Sequence, residues 1–533
     1  MTTILNRIRL RFLLLAAAIA FVVAIRSHFI DIAFERDEGE YAYAGQLLLQ
    51  GIPPYQYAYN MKLPGTYLGY AGIMAVFGES IRGVHLGLLL ITIASMMSIF
   101  LLGDKLFGPH GGWPAAATYG LLSVSWSVLG PCGHATHFVV LFALAGAVLL
   151  YRGGERDSTL LFLFSGLLFG FAFLMKQPGL FFAMFGFCWA AVTEISRQRR
   201  QGLIRCGMLA AGIVLPFALT CLWLLLAGVF GRFRFWTFGY VREYQAEMEL
   251  DEVWNWFASS LTEVAEPNLP LWGISIGGMV AMYLIPGRRR QAVFATGFTL
   301  AGLLAVVPGF HFRAHYFVTL LPGIALGVGG AIAALHHLVV RCTGRERLAT
   351  LLSVCAFAIY FIWSVSNHWG LLIGRPAQEV ADEIYTNQGF SDFPEVGRYV
   401  EENSGPDDRV FVFGSEPQVY FHARRRSATG YIYLYPLLEE QSFAKRMQEE
   451  MIAEVEAARP LFFVDAYQTW SEERNLRAKD IRDWASGYVT ANYKLVALFV
   501  WKDGRKNWYY DEQATRFKPD RGFILRIYRR NQP

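Results

Sequence analysis

The chain has 533 residues, of which 54% are hydrophobic, 15% aromatic and only 17% charged. A soluble domain carries about 25% charged residues, so this composition excludes a disordered chain, a fibrous repeat and a small secreted disulfide scaffold. The net charge of +5 is small, and its distribution suits membrane topology rather than nucleic-acid binding, which needs a concentrated basic face.

The charge divides the chain into two parts. Of the 91 charged residues, 48 lie within residues 372–533. This predicts a transmembrane module over residues 1–371 and a soluble domain over residues 372–533. All six cysteines precede residue 372 and none forms a CxxC motif, so we expect neither a disulfide framework nor a zinc site.

Apolar runs of about 17–25 residues predict helices that cross a bilayer. Eleven such runs occur, near residues 12–30, 82–103, 113–130, 135–151, 159–175, 178–194, 206–229, 269–286, 291–309, 316–338 and 348–371. The break at residues 175–179 is either a turn between two spans or a kink within one long span, so the count is open by one.

The first apolar run is an anchor or a cleaved signal peptide. Three arginines precede or begin it, as in a signal peptide, at positions 7, 9 and 11. More apolar sequence follows Arg26-Ser27-His28, without a convincing cleavage site, and this favours a membrane anchor.

Arginine and lysine are concentrated in alternate loops. With a cytoplasmic N-terminus, the inside loops hold Lys105, Arg152, Arg156, Arg197, Arg199, Arg200, Arg205, Arg288, Arg289, Arg290, Arg341, Arg345 and Arg347. The positive-inside rule therefore places residues 31–81, residues 231–268 and the C-terminal domain outside the cytoplasm of a multi-pass inner-membrane protein.

The C-terminal domain has the pattern of a mixed α/β fold. Strands are predicted at residues 409–413, 461–464, 494–500 and 523–528, and helices at residues 395–402, 437–458 and 472–484. No GxGxxG motif follows the first strand, so nucleotide binding has no support.

The densest polar cluster is Phe34–Tyr43, just after the first span, and it contains Asp37 and Glu38. Hydrated carboxylates that end a helix would explain the cluster by itself. An apolar helical stretch at residues 42–49 and a single lysine, Lys62, follow on the same loop, and this combination indicates a built site.

The first loop resembles a known family. The motifs that carry the resemblance are Phe34–Tyr43, Gln46–Gly51, Pro53–Tyr55, Lys62–Gly65, Phe77–Ser80 and, later, His315–Pro322. They are similar to the PMT-like glycosyltransferases (glycosyltransferase family 39 of the GT-C superfamily), which include protein O-mannosyltransferases and bacterial lipid A aminoarabinose transferases. The resemblance covers residues 1 to roughly 340, and the domain after it weakly resembles a periplasmic domain of some members.

The resemblance implies a polytopic α-helical GT-C fold and a reaction. A sugar passes from a polyprenyl-phosphate donor to an acceptor hydroxyl on the outer face, with inversion, and the acidic residue of the first loop acts as general base. That residue corresponds to Asp37, with Glu38 as its neighbour. The acceptor is a glycolipid, a polysaccharide or a protein, and a role in cell-envelope glycosylation follows.

The leaving phosphate is anionic and needs cations at headgroup depth. The outer-side candidates are Lys62, favoured by the resemblance, and Lys176, Arg313 and His315. Each also has a structural explanation: snorkelling for Lys62, packing at a kink for Lys176, interfacial anchoring for Arg313 and a buried hydrogen-bonded role for His315. His134 and His137 are weak evidence for a metal, so no metal or other cofactor is assigned, although a divalent ion stays open.

Two other functions compete with transfer from a lipid donor. A lipid or polysaccharide transporter without bond chemistry would place polar residues near mid-membrane, often with internal repeats. Here the span centres are apolar, no repeat is visible and the charges lie at the outer ends, so an interfacial enzyme is favoured. A polysaccharide polymerase or ligase shares the donor class and differs only in the acceptor.

Overall fold

The computed structural model describes residues 2–246, 250–385, 389–466, 476–502, 505–517 and 523–531. The α-helices of the membrane module are α1 (Thr2–His28), α2 (Arg36–Leu49), α3 (Gly65–Phe77), α4 (Ile81–Phe107), α5 (Gly112–Ser123), α6 (Ala135–Arg156), α7 (Thr159–Met175), α8 (Leu180–Ala190), α9 (Arg199–Leu226), α10 (Phe230–Arg234), α11 (Val241–Ala246), α12 (Leu250–Ala265), α13 (Leu269–Leu284), α14 (Arg289–Leu304), α15 (Leu321–Thr343) and α16 (Glu346–Asn367). Short 3-10 turns occupy Trp126–Val128, Gln177–Gly179, Glu266–Asn268 and Ala314–Thr319, and π-helical turns occupy Ala191–Ile195, Phe235–Tyr240 and Gly370–Gly374.

Within the described residues, seven helical segments are long and apolar enough to cross a membrane. They are Arg9–His28, Ile81–Phe107, Ala135–Arg156, Gln177–Ile195, Arg199–Leu226, Leu321–Thr343 and Glu346–Asn367. Each of the other four predicted spans overlaps a shorter helix, namely α5, α7, α13 or α14. The polytopic helical architecture is confirmed, whereas the count of eleven spans and the domain boundary at residue 371 stay predictions.

The predicted span at residues 113–130 differs most from the structure. Helix α5 ends at Ser123, and the chain then runs as a buried irregular segment until α6 begins. Arg26, at the end of α1, donates to the carbonyl oxygens of Ser123 (3.4 Å) and Gly130 (3.1 Å) and so satisfies two of the buried backbone acceptors around this segment. Irregular backbone at membrane depth is tolerated when protein groups satisfy it in this way.

Helix α2 begins earlier than the predicted stretch at residues 42–49. Glu35 caps it: the Glu38 N–H donates to the Glu35 carboxylate at 2.8 Å, and the Glu38 side chain lies 3.5 Å from the Glu35 nitrogen. This capping box starts the helix at Arg36. The acidic cluster therefore forms the first turn of α2, and the spacing of its carboxylates follows a helix.

The C-terminal domain contains a six-stranded mixed sheet of order β2-β1-β3-β6-β4-β5. Its helices are α17 (Ala377–Ile384), α18 (Phe393–Glu402), α19 (Gln418–Ala423), α20 (Tyr435–Leu438), α21 (Ala444–Ala458), α22 (Leu476–Asn492) and α23 (Asp511–Arg516), and its strands are β1 (Arg409–Phe413), β2 (Arg426–Ser427), β3 (Phe462–Asp465), β4 (Tyr493–Lys502), β5 (Arg505–Tyr510) and β6 (Phe523–Arg530). β1 pairs in parallel with β2 and β3, whereas the β3–β6, β6–β4 and β4–β5 pairs are antiparallel. The predicted mixed α/β character is confirmed; residues 472–475 of one predicted helix lie outside the described residues.

The C-terminal domain packs directly on α2. A Cβ atom added to Gly39 would lie 2.5 Å from the Cβ of Gln418, so only glycine allows this approach. The Tyr59 N–H donates to the Gly430 carbonyl at 2.7 Å, and the Ser427 N–H donates to the Tyr43 hydroxyl at 2.8 Å. The first loop is thus enclosed between the helical bundle and the domain.

Candidate active site

A cavity of about 1030 Å³ lies where the first loop, the ends of several membrane helices and the C-terminal domain meet. Five of the six candidate residues line it, namely Asp37, Lys62, Lys176, Arg313 and His315. The domain contributes two loops to the same wall, residues 414–416 and 433–435. The structure therefore brings together residues that are almost 280 positions apart.

Asp37 and Lys62 form an ion pair at the cavity wall. The Lys62 ammonium donates to the Asp37 Oδ1 at 2.8 Å and to the Glu40 Oε2 at 2.6 Å, and it lies 4.5 Å from the ring centroid of Tyr41. Glu40 is fully buried, whereas Asp37 and Lys62 keep about a quarter of their side-chain surface exposed (27% and 23%). Lys62 thus joins a buried carboxylate to one that faces the cavity.

Burial and charge act in opposite directions on these groups. Burial by itself would raise the pKa of Asp37, but the positive charge of Lys62 lowers it below the usual range. Burial would lower the pKa of Lys62, but Asp37 and Glu40 raise it well above its ordinary value. The pKa of Glu40 is raised, mainly by burial, against the opposing charge of Lys62. The cavity therefore presents an ionised aspartate and a charged lysine at neutral pH.

Two histidines stack next to Asp37. The rings of His134 and His315 are 4.0 Å apart between centroids and 9° from parallel. The Asp37 Oδ2 lies 3.9 Å from the His134 Nδ1 and 3.9 Å from the His315 Nε2. Burial lowers the pKa of His134 to about 4 and lowers that of His315 as well, so both rings are neutral at pH 7.

These three side chains are a candidate metal site that the sequence analysis did not assign. Their ligand atoms all lie within 4.8 Å of one another. Among the residues that the structure describes, neither ring nitrogen of His134 has a hydrogen-bond partner. Two neutral imidazoles and one carboxylate are a donor set that suits a divalent ion such as Zn²⁺.

Lys176 and Arg313 add positive charge to the same cavity. Lys176 occupies the break between α7 and the next span, and its ammonium lies 3.8 Å from the ring centroid of Tyr316. Burial, together with the nearby charges of Lys62 and Arg313, lowers the pKa of Lys176 to about 7, although Asp37 opposes this. A partly desolvated lysine and an exposed arginine that line the same cavity favour an anionic ligand, which would balance their positive charge.

Glu38, the second candidate for the base, does not line the cavity. It is fully buried, and its Oε1 accepts a hydrogen bond from the Gly133 N–H at 2.6 Å and lies 3.1 Å from the His85 Nε2. These contacts attach α2 to the irregular segment that precedes α6. The structure thus gives Glu38 a positioning contact with the residue next to His134, and no access to an acceptor in this cavity.

Comparisons with known proteins agree with this architecture. Residues 64–224 match the family model described as dolichyl-phosphate-mannose-protein mannosyltransferase. A crystal structure of ArnT from Cupriavidus metallidurans bound to undecaprenyl phosphate superposes with a TM-score of 0.58 at 14% identity, over 97% of both chains. The chain has the GT-C fold. The predicted resemblance to PMT-like glycosyltransferases is therefore confirmed.

Two structures of an oligosaccharyltransferase from Archaeoglobus fulgidus share this GT-C fold. One, of AglB in complex with an inhibitory peptide and a dolichol-phosphate, has a TM-score of 0.52 at 12% identity and covers 97% of this chain and 76% of AglB. The other, in complex with Zn and sulfate, has a TM-score of 0.52 at 14% identity and covers 93% and 73%. A search of curated protein sequences gave no match.

Several residues at this site received no role in the sequence analysis. His134, Glu416 and Tyr433 line the cavity, whereas Glu40 accepts a hydrogen bond from Lys62 and Tyr67 donates to Glu40. Glu416, in the C-terminal domain, accepts from Arg36 Nη2 at 2.8 Å and Nε at 3.2 Å, directly beside Asp37. Only Glu40 had a usable sequence signal, because it is three positions after Asp37 on one helix.

Proposed function

We propose that the chain is a membrane glycosyltransferase that moves a sugar from a polyprenyl-phosphate donor to an acceptor hydroxyl on the outer face, with inversion. The observation that carries this proposal is the Asp37–Lys62 ion pair in a cavity that Lys176 and Arg313 also line. The match to the mannosyltransferase model and the shared fold with ArnT bound to undecaprenyl phosphate support the donor class.

The two kinds of charged group suit the two halves of the reaction. An acceptor hydroxyl is a poor nucleophile, and Asp37 would take its proton as the bond to the sugar forms. The departing polyprenyl phosphate needs cations rather than an acid, and Lys62, Lys176 and Arg313 would stabilise its growing charge. His315 lies between these groups and would orient the phosphate or hold an ion.

Lys62 would link donor binding to the strength of the base. Before the donor binds, Lys62 keeps the pKa of Asp37 low, which makes Asp37 a weak base. A donor phosphate would attract the Lys62 ammonium while Glu40 keeps holding it from behind at 2.6 Å. Asp37 would then lose part of its neutralising charge and become a stronger base when the substrate is present.

We further propose that the chain lies in the inner membrane with a cytoplasmic N-terminus, so that the cavity opens at the outer boundary. The arginine-rich loops identified in the sequence support this orientation. The donor would reach the cavity along the outer leaflet. The acceptor would come from the side of the C-terminal domain, as a glycolipid, a polysaccharide or a protein.

A detergent-solubilised preparation tests transfer against transport. The purified chain is incubated with polyprenyl-phosphate sugars from cells that lack it, together with their envelope extract, and released polyprenyl phosphate is measured. We expect release with the wild type and release slower by on the order of 10²–10⁴-fold with Asp37→Asn. A transporter would release no polyprenyl phosphate, because it breaks no bond between the sugar and the lipid phosphate. In detergent it also has no membrane across which to move the lipid. The donor would be identified as the lipid-linked sugar that accumulates in cells lacking the protein.

A further inference from the structure

A chain of hydrogen bonds connects the C-terminal domain to Lys62. Tyr433 lies in the loop between β2 and α20, and its hydroxyl is 3.0 Å from the Glu40 Oε2, the same oxygen that accepts from Lys62 at 2.6 Å. The hydroxyl of Tyr67, in α3, donates to the other oxygen of Glu40 at 2.5 Å. Glu40 is therefore held from the membrane module on one side and from the C-terminal domain on the other.

We propose that the C-terminal domain completes the catalytic centre, because Tyr433 fixes Glu40 and Glu40 in turn holds Lys62 beside Asp37. This inference rests on the proposed function for the roles of Lys62 and Asp37. Tyr433 also lines the cavity, but its hydroxyl bonds to Glu40 and Glu40 bonds to Lys62, so in this proposal both act as positioning residues through Lys62. The C-terminal domain is then required for the geometry of the catalytic centre.

The environment of Glu40 explains why one hydroxyl matters. A fully buried carboxylate needs several donors, and Glu40 has three, from Tyr67, Lys62 and Tyr433. Tyr433 has one proton, and the Arg36 carbonyl also lies within 3.1 Å, but the charged carboxylate is the stronger acceptor. Without this hydroxyl, one oxygen of Glu40 is held by Lys62 alone, and the pair gains freedom to move away from Asp37.

The same helix offers a matched control. The Tyr43 hydroxyl accepts a hydrogen bond from the Ser427 N–H at 2.8 Å, so it also joins α2 to the C-terminal domain through a buried tyrosine. Among the residues that the structure describes, no hydrogen bond joins the Tyr43 hydroxyl to Glu40, Lys62 or Asp37. Tyr43→Phe therefore weakens the attachment of the domain without touching the positioning chain.

The test is a double-mutant cycle on kcat/KM for the donor. Hydrogen bonds to charged groups are strong enough that Tyr433→Phe should lower kcat/KM roughly tenfold, and Glu40→Gln should lower it further. If Tyr433 acts through Glu40, the double variant is no slower than Glu40→Gln alone. Tyr43→Phe should stay near wild type, and its small effect should multiply with that of Glu40→Gln. Equal losses for Tyr433→Phe and Tyr43→Phe, or multiplying losses for Tyr433→Phe and Glu40→Gln, would overturn the proposal.

A second measurement needs no transfer activity. The folded protein is treated with an amine-acylating reagent, and modification of Lys62 is followed by mass spectrometry, with the exposed Lys105 as internal reference. We expect faster modification of Lys62 in Tyr433→Phe than in the wild type or in Tyr43→Phe, because the amine is held less firmly. An unchanged rate at Lys62 contradicts the positioning chain. If the modification rate of Lys62 changes but the protein transfers no sugar, the hydrogen-bond chain from Tyr433 to Lys62 is supported and the proposed function is rejected.

Discussion

Replacing Asp37 by asparagine removes its basicity and its negative charge and keeps its shape. The side chain keeps its size, and its amide oxygen still accepts from Lys62, which Glu40 continues to anchor at 2.6 Å. The donor site therefore stays in place. We expect the variant to bind the donor with a nearly unchanged KM and to turn over slowly, which is the pattern for an interaction made only in the transition state.

The size of the effect follows from the role of the base. Loss of a positioned general base lowers the rate on the order of 10²–10⁴-fold, which corresponds to about 3–5 kcal/mol of transition-state stabilisation. The assay is polyprenyl phosphate released from the donor lipid by purified protein, normalised to folded protein from size-exclusion chromatography.

Glu38→Gln is the matched control for this experiment. Glu38 is buried away from the cavity and holds the Gly133 N–H at 2.6 Å, so its change should lower thermal stability and leave turnover per folded molecule close to wild type. Full activity in Asp37→Asn at normal folding would refute the assignment of Asp37. A larger loss of turnover in Glu38→Gln than in Asp37→Asn would show that the base had been misplaced by one residue.

Five further outcomes are expected. Lys62→Ala should raise the donor KM and lower kcat. Arg313→Ala should also lower activity, and Arg313→Lys should not restore it, because lysine cannot bind phosphate through two parallel hydrogen bonds. Full activity in Arg313→Lys would contradict such a bidentate contact. Because the pKa of Lys176 is about 7, its charge is lost as the pH rises, so kcat/KM for the donor should fall above pH 7, and Lys176→Arg should remove that fall. If Asp37 and the two stacked histidines hold a divalent ion, elemental analysis should find it in the wild type and not in His134→Ala, whereas equal metal content in both would reject the site. Reporter fusions near residue 380 should be active only as an exported type, and a cytoplasmic signal there would reverse the predicted orientation.

Local sequence rules predicted the elements whose pattern is set within a few residues. The strand predicted at residues 409–413 is β1 over the same five residues, because a run of alternating aromatic and β-branched residues strongly favours a β-strand. The break at residues 175–179 is a turn at Gln177–Gly179, as its Pro-Gly pair indicates. In both cases the deciding interactions are short in range.

Hydropathy could not distinguish a helix from a buried loop. Residues 113–130 carry no charged side chain, yet α5 ends at Ser123, and Arg26, almost a hundred positions earlier, donates to the carbonyl oxygens of Ser123 and Gly130. That segment leads to His134, which stacks on His315. The pairing depends on contacts between distant parts of the chain, so neither histidine gave a sequence signal for the other.

In the first turn of α2, helix geometry points neighbouring carboxylates in different directions and gives them different partners. Successive residues on an α-helix are rotated by about 100°, so Glu38 points well away from Asp37, whereas Glu40 returns to within about 60° of it. This is why Lys62 bridges Asp37 and Glu40, at 2.8 and 2.6 Å, while Glu38 turns toward His85 and Gly133. Adjacency in sequence favoured Glu38 as the partner of the base, but residues three apart share a helix face. Once the cluster is placed on a helix, the spacing alone identifies Glu40 as the carboxylate on the same face as Asp37. Donor turnover should therefore fall more in Glu40→Gln than in Glu38→Gln, and this difference tests the helical placement.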